Sequence, residues 1–117
     1  ADSMGANGAL LWERATNNNN NANNKKYNVY HGANVISGAT QTTTTYAGGW
    51  GTLKNRGSKT SQHALNSQNG DVGSAGGMKY LNTDTTQAQV FSIALQLAVA
   101  TDYAVVETFA FLLRPKA

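Results

Sequence analysis

The chain has no cysteine, a single proline and few charged residues. Without cysteine it has neither a disulfide framework nor a thiolate metal site. No apolar run approaches the roughly 18–20 residues of a membrane span, so we expect no membrane insertion. Charged residues make up 13% of the chain, against about 25% in a typical globular domain. Amides, hydroxyls and glycine fill the gap, which is typical of extracellular particles, fibres and carbohydrate-facing domains.

The length of 117 residues, 40% of them hydrophobic, suits one domain with one core. We therefore expect a single β-sandwich domain over residues 1–117. The chain begins with alanine rather than methionine. We expect it to be a processed chain or a fragment, namely the C-terminal part of a longer protein.

The net charge is +3, but the basic residues are scattered. Their only cluster is Lys54-Asn55-Arg56-Gly57-Ser58-Lys59. Phosphate binding needs a basic stripe with aromatic or helical support, and this cluster lacks both. The sequence therefore predicts no nucleic-acid partner.

The C-terminal third, residues 88–117, alternates between large and small side chains with period two. The alternation predicts two strands that turn at Thr101-Asp102 and end before Pro115. A helix over 88–100 is the alternative, since alanine and leucine favour helices. The large side chains of the predicted hairpin are Phe91, Ile93, Leu95, Leu97, Val99, Tyr103, Val105, Phe109, Phe111 and Leu113, and we expect them to fill the core.

The opposite face of this hairpin carries small or apolar side chains. A two-layer sandwich normally leaves such a face wet and polar. We therefore expect a second subunit to cover it, in a homo-oligomer that is a trimer. The predicted oligomer interface consists of Ala104, Val106, Ala110 and Leu112.

Shorter β-prone segments precede this hairpin: "ALLWERA", "KKYNVYHG", "TQTTTTY", "GGWGTLKNRGS" and "MKYLNTDTTQ". A glycine-rich loop is predicted at 66–77. Many short strands with glycine turns predict an all-β fold, an antiparallel β-sandwich or jelly roll. The asparagine run at 17–24 then lies between two strands, Ala9–Ala15 and Lys25–Gly32. It is interpreted as a solvated surface loop that a shorter Gly/Ser turn could replace.

No catalytic constellation is visible. Glu107 is the one carboxylate on an apolar face, either a catalytic acid or a position at the rim or subunit interface. His31 and His63 lack metal-ligand spacing. The sequence therefore predicts a protein that is not an enzyme and holds no catalytic residue, metal or cofactor.

Aromatic residues could stack on sugar rings, although in small β-domains they more often belong to the core or an interface. The ligand-binding candidates are Tyr46 and Trp50. They keep open an alternative function, a carbohydrate-binding module of a cellular or secreted enzyme.

Three segments together resemble a family of bacteriophage and prophage virion proteins found at tail-fibre ends and on particle surfaces. They are residues 4–33, residues 55–62 ("NRGSKTSQ") and residues 97–115 ("LAVATDYAVVETFAFLLRP"). The matching positions are Gly5, Asn7, Gly8, Asn21, Ala22, Asn23, Asn24, Lys25, Gly32, Asp102, Glu107, Leu113 and Pro115. His31 stands where a second glycine is expected, and the asparagine run is longer than usual.

The resemblance implies a jelly-roll or sandwich domain that is commonly trimeric and has no transferable catalytic residue. It also implies strands upstream of Ala1, so that this domain lacks an N-terminal strand or borrows one. The expected function is a structural virion domain, either a tail-fibre or spike tip or a capsid-surface decoration. Its expected partners are further copies, other virion proteins and a host-surface glycan, and its location is the virion.

Overall fold

The computed structural model describes residues 3–67 and 79–117, with the backbone alone for Asn66 and Ser67. Within these ranges the chain forms eight β-strands and no helix. The strands are β1 (Ala9–Asn18), β2 (Lys25–His31), β3 (Asn34–Gln41), β4 (Tyr46–Asn55), β5 (Gln62–Ser67), β6 (Lys79–Leu81), β7 (Phe91–Leu97) and β8 (Ala104–Arg114).

The strands form two sheets that pack against each other. Sheet A has the order β6-β5-β4-β1-β8, and sheet B has the order β3-β2-β7. Every pairing within them is antiparallel. The predicted all-β antiparallel sandwich is therefore confirmed.

The interior between the sheets has an apolar end and a polar end, and β1 runs through both. Its inward side chains are Leu10 and Trp12 at one end and Arg14, Thr16 and Asn18 at the other. The apolar cluster consists of Met4, Leu10, Trp12, Val29, Ile36, Leu53, Ala64 and Leu81. Burying a leucine-sized side chain stabilises the fold by roughly 1.5–3 kcal/mol. The polar end must instead satisfy its hydrogen-bonding groups internally.

Strands β7 and β8 do not form the predicted hairpin. β7 pairs with β2 in sheet B, and β8 pairs with β1 in sheet A. The segment around Thr101-Asp102 is thus a crossover between the sheets. The prediction was wrong because period-two alternation specifies which face is buried and leaves the pairing partner open.

A β-bulge in β8 changes which side chains of this strand share a face. Ala15 pairs with Thr108 while the next residue, Thr16, pairs with Val106, so Glu107 is the extra residue. One extra residue reverses the face of everything beyond it. Phe109 and Leu113 consequently face inward and pack against the core as predicted. The prediction is wrong for Phe111, Leu95, Val99 and Tyr103, which are 56%, 41%, 38% and 54% exposed and do not fill the core. Before the bulge, Val105 faces outward with Asn17, contrary to the prediction.

The upstream strand predictions are confirmed in part. The segments "ALLWERA", "KKYNVYHG" and "GGWGTLKNRGS" contain β1, β2 and β4, and "MKYLNTDTTQ" begins with β6. The prediction of a strand through the threonine run is wrong, since β3 ends at Gln41 and residues 42–45 connect it to β4. Beyond Ser67, the predicted glycine-rich loop at 66–77 lies outside the described residues.

Gly51 lets the Trp12 indole lie directly against β4. The two residues are paired in register. A Cβ at Gly51 would lie 2.6 Å from the indole Cζ2 and 2.5 Å from the Leu65 carbonyl oxygen. Such a contact requires a shift of the indole or of the strand backbone, because protein interiors are close-packed.

We expect Gly51→Ala to lower the free energy of unfolding by about 1–3 kcal/mol, as overpacking of a filled core does. Gly48→Ala is the matched control in the same strand, since its Cβ would meet nothing closer than the Arg14 carbonyl oxygen at 3.6 Å. Urea unfolding followed by tryptophan fluorescence measures both. Equal stability of the two variants would contradict the packing of Trp12 on Gly51.

Candidate functional site

Three asparagine side chains from the 17–24 run converge on one carboxylate, that of Asp102. The Nδ2 groups of Asn19 and Asn21 donate to Asp102 Oδ1 at 2.8 and 2.6 Å. Asn23 Nδ2 donates to Oδ2 at 3.0 Å. Asp102 is 9% exposed. Its oxygens are thus already engaged by amide donors, and we call this arrangement the Asp102 cluster.

The Asp102 cluster joins two of the four described chain segments that cross between the sheets. The asparagine run connects β1 of sheet A to β2 of sheet B, while Asp102 lies between β7 of sheet B and β8 of sheet A. Backbone bonds reinforce the contact: Tyr103 N donates to Asn19 Oδ1 at 3.1 Å and Ala98 N to the Asn24 carbonyl at 3.1 Å. This end of the sandwich is therefore closed by hydrogen bonds.

A buried lysine donates hydrogen bonds to the same loop from the interior of the sandwich. Lys25 is 0% exposed, and its Nζ donates to Asn21 Oδ1 at 2.6 Å and to the Thr42 carbonyl at 3.1 Å. A buried ammonium is tolerated only when its donors have acceptors. Lys25 thereby ties the asparagine loop to the β3–β4 connection.

The remaining polar interior continues this network along β1 and β2. Tyr27 Oη donates to Asn18 Oδ1 at 3.0 Å, and Asn18 Nδ2 donates to the Thr44 carbonyl at 2.8 Å. The Arg14 guanidinium lies 5.6 Å from the centre of the Tyr27 ring. Burial lowers the pKa of Arg14 and raises that of Tyr27. These groups are therefore buried and in contact with one another.

The interpretation of residues 17–24 as a solvated surface connection holds for Asn20, Ala22 and Asn24, which are exposed. The expectation that a shorter Gly/Ser turn could replace the run is contradicted by its bonds to Asp102. The strand–loop–strand arrangement is confirmed, but β1 extends to Asn18, and the following asparagines bind Asp102. A Gly/Ser turn would leave the carboxylate and Lys25 without these partners. Buried polar groups left unsatisfied cost about 1–3 kcal/mol each.

Asp102 makes the stability of the fold dependent on pH. The amide of Asn19, then those of Asn21 and Asn23, and the charge of Lys25 hold the pKa of Asp102 below its ordinary value of 3.8. A carboxyl whose folded-state pKa is depressed stabilises the fold above its unfolded-state pKa. That stabilisation is lost as the pH falls through the lower folded-state value.

We expect Asp102→Asn to lower the melting temperature at pH 7, and the difference from wild type to shrink once the pH falls below 3.8. Asp84→Asn is the control with the same change of charge: the pKa of Asp84 is also lowered by Thr86, but its carboxylate is exposed and bonds within its own turn, so solvent screens its effect on stability. Circular-dichroism melts between pH 2 and 7 measure both. An equal or pH-independent loss in the two variants would contradict the role of Asp102.

The other titratable candidates are dispersed. His31 is buried against Phe91, with ring centres 4.7 Å apart, and burial lowers its pKa. His63 lies on the outer face of sheet A, where burial and the charges of Arg56 and Lys54 lower its pKa. Glu107 occupies the exposed bulge of β8. Within residues 3–67 and 79–117, no three His, Asp or Glu side chains are grouped so that they could hold a metal ion.

The outer face of sheet A carries an open groove of about 380 Å³. Its lining comes from β1, β4 and β8: Leu11, Trp12, Glu13, Trp50, Gly51, Ala110, Phe111 and Leu112. Within it the Glu13 carboxylate stands between two neighbours in register, Trp50 on β4 and Ala110 on β8. Trp50 is 48% exposed and Leu112 is 60% exposed. The groove therefore combines an indole, a carboxylate and apolar walls.

The structure separates the four residues predicted for the oligomer interface. Ala110 and Leu112 lie on the outer face of sheet A, in register with Glu13 and Leu11. Ala104 and Val106 precede the bulge and pair with Asn18 and Thr16, which face inward. The prediction that the four residues share one face is therefore wrong, because the bulge at Glu107 reverses the direction of Ala104 and Val106.

The two predicted ligand-binding candidates share the outer face of sheet A. Tyr46 and Trp50 lie four residues apart on β4, and both are exposed. Only Trp50 lines the groove. Sequence reasoning missed Glu13, although the outward positions of β1, which are Ala9, Leu11, Glu13, Ala15 and Asn17, could have identified it.

No family model, curated protein or solved structure matches the chain. Among the described residues, no helix is long and apolar enough to span a membrane.

Proposed function

We propose that this domain is a non-enzymatic structural component of a virion surface, at a tail-fibre or spike tip or as a capsid decoration. In this proposal it associates with further copies of itself and with other virion proteins, and it contacts a host-surface glycan. It takes no cofactor and binds no nucleic acid. The segments that resemble virion proteins support this assignment, as does the surface chemistry, which is rich in amides and hydroxyls and poor in charge.

The observation that carries the proposal is the exposed apolar area on the outer face of sheet A. Leu65, Trp50 and Leu112 are 48%, 48% and 60% exposed on this one face. Contiguous exposed apolar surface marks interaction sites. Covering it yields roughly 25 cal/mol per Å², so association of copies through this face is favourable.

We expect the wild-type chain to be a homo-oligomer at micromolar concentration, and Leu112→Asp to be a folded monomer, because an unpaired charge would enter the contact. Size-exclusion chromatography with light scattering gives the masses, and thermal melts check folding. Val90→Asp is the control, since Val90 is 70% exposed but lies outside sheet A. A wild-type monomer would overturn the proposal. Val106→Asp is unsuitable here, because Val106 lies on the inner face.

The groove favours a second candidate function, that of a carbohydrate-binding module. The indole of Trp50 supplies an apolar face for a sugar ring, and the Glu13 carboxylate accepts bonds from hydroxyl groups. Glu13 forms no ion pair with any described residue. A carboxylate beside an exposed indole is therefore available to a neutral polyol.

In this second case a glycan array should detect binding by the wild-type chain, and Trp50→Ala should abolish it. Tyr103→Ala is the matched control, because Tyr103 is 54% exposed and lies outside the groove. Binding that survives Trp50→Ala would exclude the groove as the sugar site. Absence of any bound glycan would leave self-association as the function of this face.

A further inference from the structure

The outer face of sheet A is organised in three parallel rows that run across the strands. Strand register defines each row, because residues paired in register point to the same side of the sheet. The basic row contains Arg114, Ala9, Lys54 and His63. The apolar row contains Leu112, Leu11, Thr52 and Leu65, and the acidic row contains Ala110, Glu13 and Trp50. The apolar row lies between the other two.

The charges at the two sides of the apolar row have no partners of opposite sign within the described chain. Glu13, Lys54 and Arg114 form no ion pair with any residue of 3–67 and 79–117. The nearest ionisable neighbour of Lys54 in register is His63, which is also basic. The face therefore presents uncompensated negative charge on one side of the apolar row and uncompensated positive charge on the other.

We infer that two copies of the chain associate face to face through the outer faces of their A sheets, about a two-fold axis that runs along the apolar row. This inference rests on the proposed function and specifies its contact. Rotation about that axis reverses the strand direction and keeps the order of the strands. The acidic row of each copy then lies over the basic row of the other.

The register makes this superposition specific. Glu13 of one copy lies over Ala9 of the second, whose small side chain leaves room for it. Lys54 and Arg114 flank Ala9 on the adjacent strands, each about 4.8 Å away along the row. The carboxylate is therefore placed between two cations, and the symmetry forms this arrangement twice. Trp50 of one copy lies over Lys54 of the other, which permits a cation–π contact.

The alternative two-fold axis, parallel to the strands, is excluded by the same charges. It would place the basic row of one copy over the basic row of the other, and like charges brought into contact repel each other. The axis along the apolar row is thus the face-to-face arrangement that the charge pattern allows. It also places Leu11 and Leu112 against the same row of the second copy.

The size of the face is sufficient for such a contact. Strands β8, β1, β4 and β5 cover about 20 Å by 30 Å, on the order of 600 Å² of flat area. Side-chain relief raises the accessible area toward the ~800 Å² per partner of a standard interface. A second copy matches this area, whereas a single sugar would leave most of the apolar row exposed.

Charge-swap variants test the arrangement by sedimentation velocity in 150 mM NaCl. We expect Glu13→Lys to weaken association by about tenfold or more, since it places like charges in contact. The double variant Lys54→Glu with Arg114→Glu should do the same. The triple variant with all three changes should restore the wild-type assembly, because both sides of each contact are exchanged. Glu107→Lys is the control with the same change of charge outside the three rows.

The outcomes separate this inference from the proposed function. A wild-type monomer, with or without glycan binding, overturns both. A wild-type oligomer whose Glu13→Lys variant assembles normally overturns the two-fold contact alone. So does a folded triple variant that fails to assemble, or a wild-type trimer, since this contact joins copies in pairs. An even copy number with recovery in the triple variant supports it.

Discussion

Of the four described crossings between the sheets, two depend on one carboxylate. Asp102 lies on the connection from β7 to β8, and it receives the amides of three asparagines on the connection from β1 to β2. Because each connection joins sheet B to sheet A, the carboxylate fixes both crossings at one end of the sandwich. Amide donors suit this position, since they satisfy a carboxylate without adding a charge that would itself need compensation.

The need to satisfy buried hydrogen-bonding groups also explains the composition of the polar end of the interior. Below the Asp102 cluster the core contains Lys25, Asn18, Tyr27 and Arg14 instead of aliphatic side chains. Each donor lies close to an acceptor or an aromatic ring, as the bonds to Asn21, Thr42 and Thr44 show. Such networks specify one arrangement of the chain, because any other leaves groups unsatisfied. The apolar end supplies the hydrophobic stabilisation, and the polar end fixes the loops beside it. At the apolar end the buried amides of Asn55 and Gln62 hold the loops in the same way, through bonds to Gly5, Thr83 and Thr85.

Patterns in the sequence predicted the fold class and strands β1, β2, β4, β7 and β8, but they missed β5 and most of β3. The other failures have identifiable physical causes. Alternation gave β7 and β8 as strands but could not give their partners, because a strand that buries one face fits either sheet. It placed Ala104 and Val106 on one face with Ala110 and Leu112, because the bulge at Glu107 has no sequence signal as strong as glycine or proline. It identified Trp50 but missed Glu13, since the groove exists only once β1, β4 and β8 are neighbours.

Because this chain carries so few charged residues, the positions of the charges on the outer face of sheet A are informative about association. Along β1, Glu13 lies four residues from Ala9 and hence about 13 Å from the basic row. That separation exceeds the roughly 8 Å Debye length at physiological salt. Attraction between these rows within one molecule is therefore largely screened, and it adds little to the stability of the monomer. Opposite charges on either side of an apolar strip gain most when a second surface brings them within contact distance and excludes water. The electrostatic pattern of this face thus has its main energetic consequence between molecules.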